Sequence, residues 1–469
     1  MFKRNLIAAA IALALAGPAL AQDAELARIR EEIKQMKEGY ERRIDALEKR
    51  LAEAEAKAGK AERSAASAET AAASASSRPA SESAFNPAVS LVLQGTYANT
   101  SQDPNKFQIT GFVPSGGEVG PPKRSFGLGE TELTFSANID PYFRGVAIAS
   151  LTPENEVAIE EAYFQTLALP KGFMVKGGRF LSAIGYQNEI HQHAWDFQDA
   201  PLPYKAFLGG RLRQDGLQLK WIAPTDLFVE LGAEISSGDQ FPGSDRNKNG
   251  VGGSALFGHL GGDIGTNYAW RTGVSYLRMS PQNRSFEDAD SLGNVVTNSF
   301  TGKARLWAAD AVLKWAPNGN ATGTNFKLQG EYFRLKQDGT LTYDDTGQAA
   351  PQFGASLSDY FRTDQSGWYA QGVWQFMPRW RVGYRYDALR YGTVSNGILN
   401  NGLGPVAADF PVLANHNPSR STLMLDWSPT EFSRLRLQFA SDQSRLDATD
   451  NQVFVQYIYS LGAHGAHKF

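Results

Sequence analysis

From residue 88 onward, apolar and polar side chains alternate one by one, in segment after segment, with polar turns between. Leu217, Leu219 and Trp221 oppose Gln218 and Lys220, and Leu227, Val229, Leu231, Ala233 and Ile235 oppose Glu230 and Glu234. Tyr268, Trp270, Thr272, Val274 and Tyr276 likewise oppose Arg271 and Ser275. A period of two puts successive side chains on opposite faces of a strand, so each segment predicts one oily face and one wet face. The last stretch keeps the pattern: Val453, Val455, Tyr457, Tyr459, Leu461 and Ala463 share a parity with the terminal Phe469, against Gln456, Ser460, His464 and Lys468.

The turns fall into two series. One is short, at 140–141, 169–172, 223–226, 261–267, 316–324, 377–379 and 428–431. The intervening series is mostly long and polar, at 99–125, 153–156, 180–215, 236–253, 279–302, 336–366, 391–419 and 441–451. Short turns on one side and longer loops on the other are the pattern of a transmembrane barrel. The segments predict an all-β barrel of about sixteen antiparallel strands over 85–469, with both its ends on the short-turn side. Trp221, Tyr268, Trp315, Phe326 and Trp380, close to short turns, are candidates for an aromatic girdle.

The N-terminus agrees. Lys3 and Arg4, an apolar run over 6–15 and small residues up to Ala21 read as a secretory signal peptide, 1–21. No later run approaches the ~20 apolar residues of a membrane helix. A membrane location therefore requires a closed barrel, in an outer membrane. Residues 22–58 carry apolar positions at Leu26, Ile29, Ile33, Met36, Tyr40, Ile44, Leu47 and Leu51, the 3-4 seam of a periplasmic α-helical coiled coil. Within it, Arg43-Ile44-Asp45-Ala46-Leu47-Glu48 resembles a trimer-specifying signature, with Ile44 and Leu47 in the core and Arg43 paired to Glu48 of a neighbouring helix. The Ala/Ser-rich stretch 59–84 reads as a linker. Phe469 resembles the C-terminal signal by which barrel-assembly machinery recognises outer-membrane proteins.

Charge and chemistry narrow the function. With 46 basic and 49 acidic residues the chain has no nucleic-acid footprint, and without cysteine it has neither thiolate nucleophiles nor Cys metal sites. Hydrolase elbows and H-E-x-x-H helices are missing, so no enzyme and no cofactor are expected. The 245–250 segment has calcium-loop spacing, but Leu256 stands where the bidentate Glu belongs, and a polar outer loop is the better reading. His191-x-His193 and His464-x-x-His467 lack an adjacent third ligand, so no metal is expected.

Four local patterns bear on the family: Gly129-Glu130-Thr131-Glu132-Leu133, Asp140-Pro141-Tyr142-Phe143-Arg144-Gly145, Glu160-Glu161-Ala162-Tyr163 and Lys176-Gly177-Gly178-Arg179-Phe180. With them the chain resembles the DcaP-like outer-membrane porins and, more distantly, the phosphate-selective porins O and P. The resemblance implies a homotrimer of sixteen-stranded channels in outer-membrane lipid, passing small hydrophilic and often anionic solutes through a constriction built by the third outer loop. That loop, 180–215, holds Glu189, His191, His193, Asp196, Asp199, Lys205, Arg211 and Arg213, with Arg179 at its entry. Inward parity adds Lys220, Arg271, Arg381, Arg385, Arg434 and Arg436 as bases and Glu130, Glu132, Glu161, Glu230 and Glu234 as acids. Acids come mainly early and bases late, although Asp310, Glu331, Asp387 and Asp426 interrupt the trend. The skew predicts an acidic wall facing a basic one, with a transverse field between them. The competing readings are a TonB-dependent receptor and a structural envelope tether.

Overall fold

A computed structural model describes residues 87–116, 119–152 and 156–462, together with Glu31, Lys34, Lys37 and Glu38. The chain divides into two units, Met1–Ala84 and Phe85–Phe469. In the first, the four described residues are helical and exposed. The signal peptide, the linker, the coil residues Arg43, Ile44, Leu47 and Glu48, and His464, His467 and Phe469 lie outside the described residues.

The second unit is one closed antiparallel sheet. Its strands are β1 (Ala88–Thr100), β2 (Ser125–Leu128 and Thr131–Asn138), β3 (Phe143–Leu151), β4 (Val157–Thr166), β5 (Phe173–Leu181), β6 (Arg213–Ile222), β7 (Phe228–Ser236) and β8 (Gly253–Ile264). They continue as β9 (Tyr268–Met279 and Arg284–Ala289), β10 (Val295–Trp315), β11 (Asn325–Asp344), β12 (Ser356–Met377), β13 (Trp380–Asn396), β14 (Ser419–Thr430), β15 (Ser433–Arg445) and β16 (Ala448–Gly462). β2 and β9 are each interrupted once, but β1 pairs with both halves of β2 and β10 with both halves of β9, so each is a single strand of the wall. Every strand pairs with its neighbour in sequence, and β1 pairs with β16 from Ser90↔Gly462 to Thr100↔Gln452. The ring of sixteen has no free edge, which is what a sheet needs where no water can take up unpaired backbone groups.

Alternation sets the two faces. In β16, Val455, Tyr457 and Leu461 are exposed on the outside, while Gln452 and Gln456 are buried within. Phe454 and Ile458, on the inward parity, are buried as well, so the inner face is not purely polar. β11 shows a second rule. Its outward row begins apolar, at Phe326, Leu328 and Tyr332, then turns charged, at Arg334, Lys336 and Asp338. Its inward row does the reverse, from Lys327, Gln329 and Glu331 to Phe333, Leu335, Leu341 and Tyr343. The first part meets lipid outside and water within. The second stands clear of the bilayer and packs apolar side chains inside, where Phe300, Leu341, Tyr343 and Phe361 form a buried cluster.

This phase inversion corrects several outer loops. The stretches 279–302, 336–366 and 441–451 are largely strand: the loops shrink to 290–294, 345–355 and 446–447. Charged outward residues such as Arg334 and Asp364 read as loop, yet they form cross-strand ion pairs, here at 2.7 Å, on a wall above the membrane. The wall is tallest at β10–β12, with 21, 20 and 22 residues, and lowest from β3 to β7, with nine, ten, nine, ten and nine.

A charge in the lipid-facing row should therefore cost far more than the same charge above it. Leu328→Lys is expected to destabilise the barrel by about 2 kcal/mol or more, and Thr340→Lys by less than about 1 kcal/mol. Urea titration of the heat-modifiable band distinguishes the two; equal losses would refute the boundary drawn in β11.

Candidate functional site

The segment 182–212 between β5 and β6 does not project outward but folds into the barrel, with most of its side chains buried. Its neck is closed by Ser182 N–H donating to Leu212 O at 3.0 Å. Asn188 holds both sides, donating to the carbonyls of Ser182 and Leu212 and accepting from Leu212 N–H at 2.7 Å. The segment contains one buried helix, α1 (Leu202–Leu208), ended by Gly209 in the left-handed conformation. The backbone N–H groups of Tyr186 and Gln187 donate to the Glu331 carboxylate of β11, each at 3.0 Å. A side chain at Gly185 (φ +67°) would collide with that carboxylate, so the close approach requires glycine.

One side of the segment is basic and faces acids of the wall. His191 lies 3.2 Å from Glu132, 3.3 Å from Glu160 and 3.0 Å from Glu161, and His193 lies 3.0 Å from Glu132. Arg211 pairs with Glu160 and, at 3.3 Å, with Glu130. The two histidines, which have no third candidate ligand beside them in the sequence, thus meet carboxylates of β2 and β4. Farther round the wall, Ser182 Oγ donates to Glu234 of β7 at 2.5 Å, and Glu189 pairs with Lys220 at 2.9 Å, which also reaches Glu230.

The other side is acidic and faces bases. Asp196 pairs with Arg381 at 3.1 Å and with Lys327. Asp199 pairs with Arg385 at 3.0 Å, with Arg420, and with Lys205 of α1 at 2.8 Å. Asp426 of β14 completes the array, receiving Arg381 at 2.5 Å and Arg436 at 2.8 Å, with Arg434 at 3.8 Å. Burial alone would raise the Asp199 carboxyl, but Arg420, Lys205 and Arg385 hold it well below its usual value of 3.8. Asp196 is lowered in the same way against its burial, chiefly by Lys327 and Arg381.

The acids of β2 and β4 and the bases of β13–β15 are separated by the glutamine-lined β16 and β1, where Gln456 donates to Gln94 at 2.9 Å. They are not diametrically opposed: β3 and β14 lie five positions apart, whereas opposition in a ring of sixteen needs eight. The inserted segment spans the difference, carrying charge complementary to each wall.

Among the expected lumen residues, Glu189, His191, His193, Asp196, Asp199, Lys205, Arg211, Lys220, Arg381 and Arg385 enter this network, and Arg271 lies over the Tyr186 ring at 5.3 Å. Arg179 and Arg213 do not. Arg179 pairs with Asp215 at 2.7 Å, both side chains remaining a third or more exposed, and Arg213 and Asp215 share the parity of the outward Leu217. Both arginines donate to the carbonyl of Ile159, which is itself exposed. Near Arg179, β5 turns through Gly178 at φ +123°. Three site residues escape a sequence reading. Lys327 and Arg420 share inward parity with Glu331 and Asp426, a clue available in the sequence. Glu160 does not follow strict alternation: a bulge opposite Ile148 and Ala149 turns both Glu160 and Glu161 inward.

Sixteen strands, an apolar outer belt and a third loop folded into the lumen define an outer-membrane β-barrel of porin architecture. The chain belongs to the same family as an uncharacterized protein of Aquifex aeolicus (strain VF5), with 30% identity over 416 residues, 83% of this chain and 81% of that one. No family model matches. Solved structures similar in fold include a loop-L8 deletion mutant of OmpT, an outer membrane protein of Vibrio cholerae (TM-score 0.49, 10% identity, 80% of this chain and 99% of that one). The outer membrane channel DcaP of Acinetobacter baumannii (0.45, 13%, 80% and 97%) and an anion-selective porin from Comamonas acidovorans (0.45, 8%, 80% and 99%) are similar at the same level.

Asp199→Asn should release the acidic side of the segment, because three cations lose their shared partner. The expected loss is about 3–5 kcal/mol of docking, seen as new protease cleavage within 182–212 of an otherwise intact barrel. The same contact fixes a pH window. Since the folded pKa of Asp199 is depressed, its contribution is complete above about 4 and is lost as pH falls through the lower folded value. Cleavage should thus be unchanged from about pH 7 to about pH 5 and rise only in stronger acid. A rise already near pH 6 would show that another group controls docking.

Proposed function

We propose that the protein is a passive diffusion channel of the outer membrane for small hydrophilic solutes, with a preference for anions. The carrying observation is which lumen charges keep contact with water. Glu132, Glu160, Glu161 and Asp426 are buried, and the half-buried acids Glu130, Glu189 and Asp199 are each paired with a cation, Arg211, Lys220 and Lys205 respectively, whereas Arg271, Lys314, Lys327, Arg381 and Arg434 all have inward parity and remain half-buried. These bases sit at neighbouring levels: Lys314 pairs in register with Lys327, and Arg381 with Asp426 and, through it, Arg436. They form an arc along β9, β10, β11, β13 and β15. A solute crossing the lumen meets this arc in a setting where salt screens charge weakly.

Sixteen strands fall well short of the roughly 22 of a plugged active transporter, which argues against the receptor reading. The low wall supports a homotrimer. Together with the adjoining β2 it presents Phe126, Val157, Ile159 and Phe164 outward, with Phe126 86% exposed and Val157 73%. Subunits meeting along this side would cover it, with the N-terminal coil as a second tie and Phe469 as the residue read by the assembly machinery.

Replacing Lys314 and Arg434 together by Gln should shift the zero-current potential in a salt gradient toward cations, lowering the anion-to-cation permeability ratio by about twofold or more, and the shift should shrink at high salt. Lys248→Gln, on an exposed outer loop, is the control. An unchanged ratio in the double variant would remove the basis for anion preference.

A further inference from the structure

We propose that His191, Glu132 and Glu160 form a divalent-metal site suited to Zn²⁺, which ties the inserted segment to β2 and β4. The three ligand atoms lie within 4.8 Å of one another. His191 Nδ1 stands 3.2 Å from Glu132 Oε2 and 3.3 Å from Glu160 Oε2. A tetrahedral ion with bonds of about 2.0–2.1 Å needs ligand edges of about 3.3 Å. Yet the buried His191 Nδ1 and Glu160 Oε2 do not hydrogen-bond: both are without such a partner among the described residues. They face each other at ligand-edge distance around a point neither satisfies.

The second atom of each ligand is held from behind. His191 Nε2 lies 3.0 Å from Glu161 Oε2, which as an N–H donor leaves Nδ1 its lone pair and makes a carboxylate–histidine–metal relay. Glu132 Oε1 is 3.0 Å from His193 Nδ1, and Glu160 Oε1 is held by Arg211. Charge points the same way. Among the described residues, Glu130, Glu132, Glu160 and Glu161 face two side-chain cations besides the histidines, Arg211 and the buried Lys176, so with neutral imidazoles the pocket keeps a net negative charge, which a dication offsets. The ligand set of one imidazole and two carboxylates leaves a fourth position for water or solute, as open zinc sites do.

The test uses the full-length folded protein in detergent, stripped with a chelator and titrated with Zn²⁺ alone in equilibrium dialysis with elemental analysis. One zinc per protomer at micromolar or tighter affinity is expected, and Co²⁺ should give the intense visible bands of a four-coordinate site. His191→Ala should abolish both, Glu161→Gln should weaken binding about 10–100-fold with unchanged stoichiometry, and His464→Ala with His467→Ala should change neither. Heat-modifiable migration reports folding; should His191→Ala fail to fold, Glu160→Gln and Glu161→Gln carry the comparison. Wild-type protein that binds no stoichiometric zinc, or binding that survives the ligand variants or follows His464 and His467, overturns the site and leaves the cluster an imidazolium–carboxylate lock.

Discussion

Pairing of the first strand with the last is the constraint on which everything else rests. In a bilayer an unpaired N–H or C=O has no water to turn to, so the β1–β16 ladder is a condition for the sheet's presence in the membrane and not an addition to its stability. Closure fixes the parity of all sixteen strands at once. It also forces the interior to accept whatever the inward rows carry, and here they carry many ionised groups. The inserted segment follows from that burden.

Charges shut inside a narrow lumen are expensive unless each finds an opposite partner. The segment 182–212 supplies partners to two walls of opposite sign, its histidines and Arg211 toward Glu130, Glu132, Glu160 and Glu161, its Asp196 and Asp199 toward Lys327, Arg381, Arg385 and Arg420. These contacts act like the pins of a two-sided plug. The segment can lie only one way round, because inverting it would set carboxylate against carboxylate. Compensation is also uneven in depth: Arg385, Arg420 and Arg436 are buried with their carboxylate partners, while Arg271, Lys314, Lys327, Arg381 and Arg434 remain half-buried.

The outer rim obeys a different rule on the same strands. Once β10–β12 rise above the lipid, water lies outside and apolar packing moves inside, so the strand keeps its period of two but reverses its phase. The apolar rim cluster of Phe300, Leu341, Tyr343 and Phe361 stiffens a wall twice as tall as that at β3–β5.

The strand number, the ring closed by neighbours in sequence, the short-turn rim and the inward parity of residues such as Lys220, Glu234, Arg381 and Arg385 were all legible in the alternation, because a period of two is local and survives any fold that keeps a strand. Strand length at the rim was not, since a reversed phase with charges outside resembles a loop until the bilayer's edge is known. Nor was the position of Glu160, which depends on a bulge, or the outward turn of Arg179 and Arg213 beside Asp215. Which charges meet was beyond the sequence altogether: His191 reaches Glu132, 59 residues away, and Asp199 reaches Arg420, 221 residues away, only because the barrel closes and the segment enters it. Local periodicity determined the wall; pairing across the lumen is a long-range matter of curvature and loop path, and only the tertiary structure decided it.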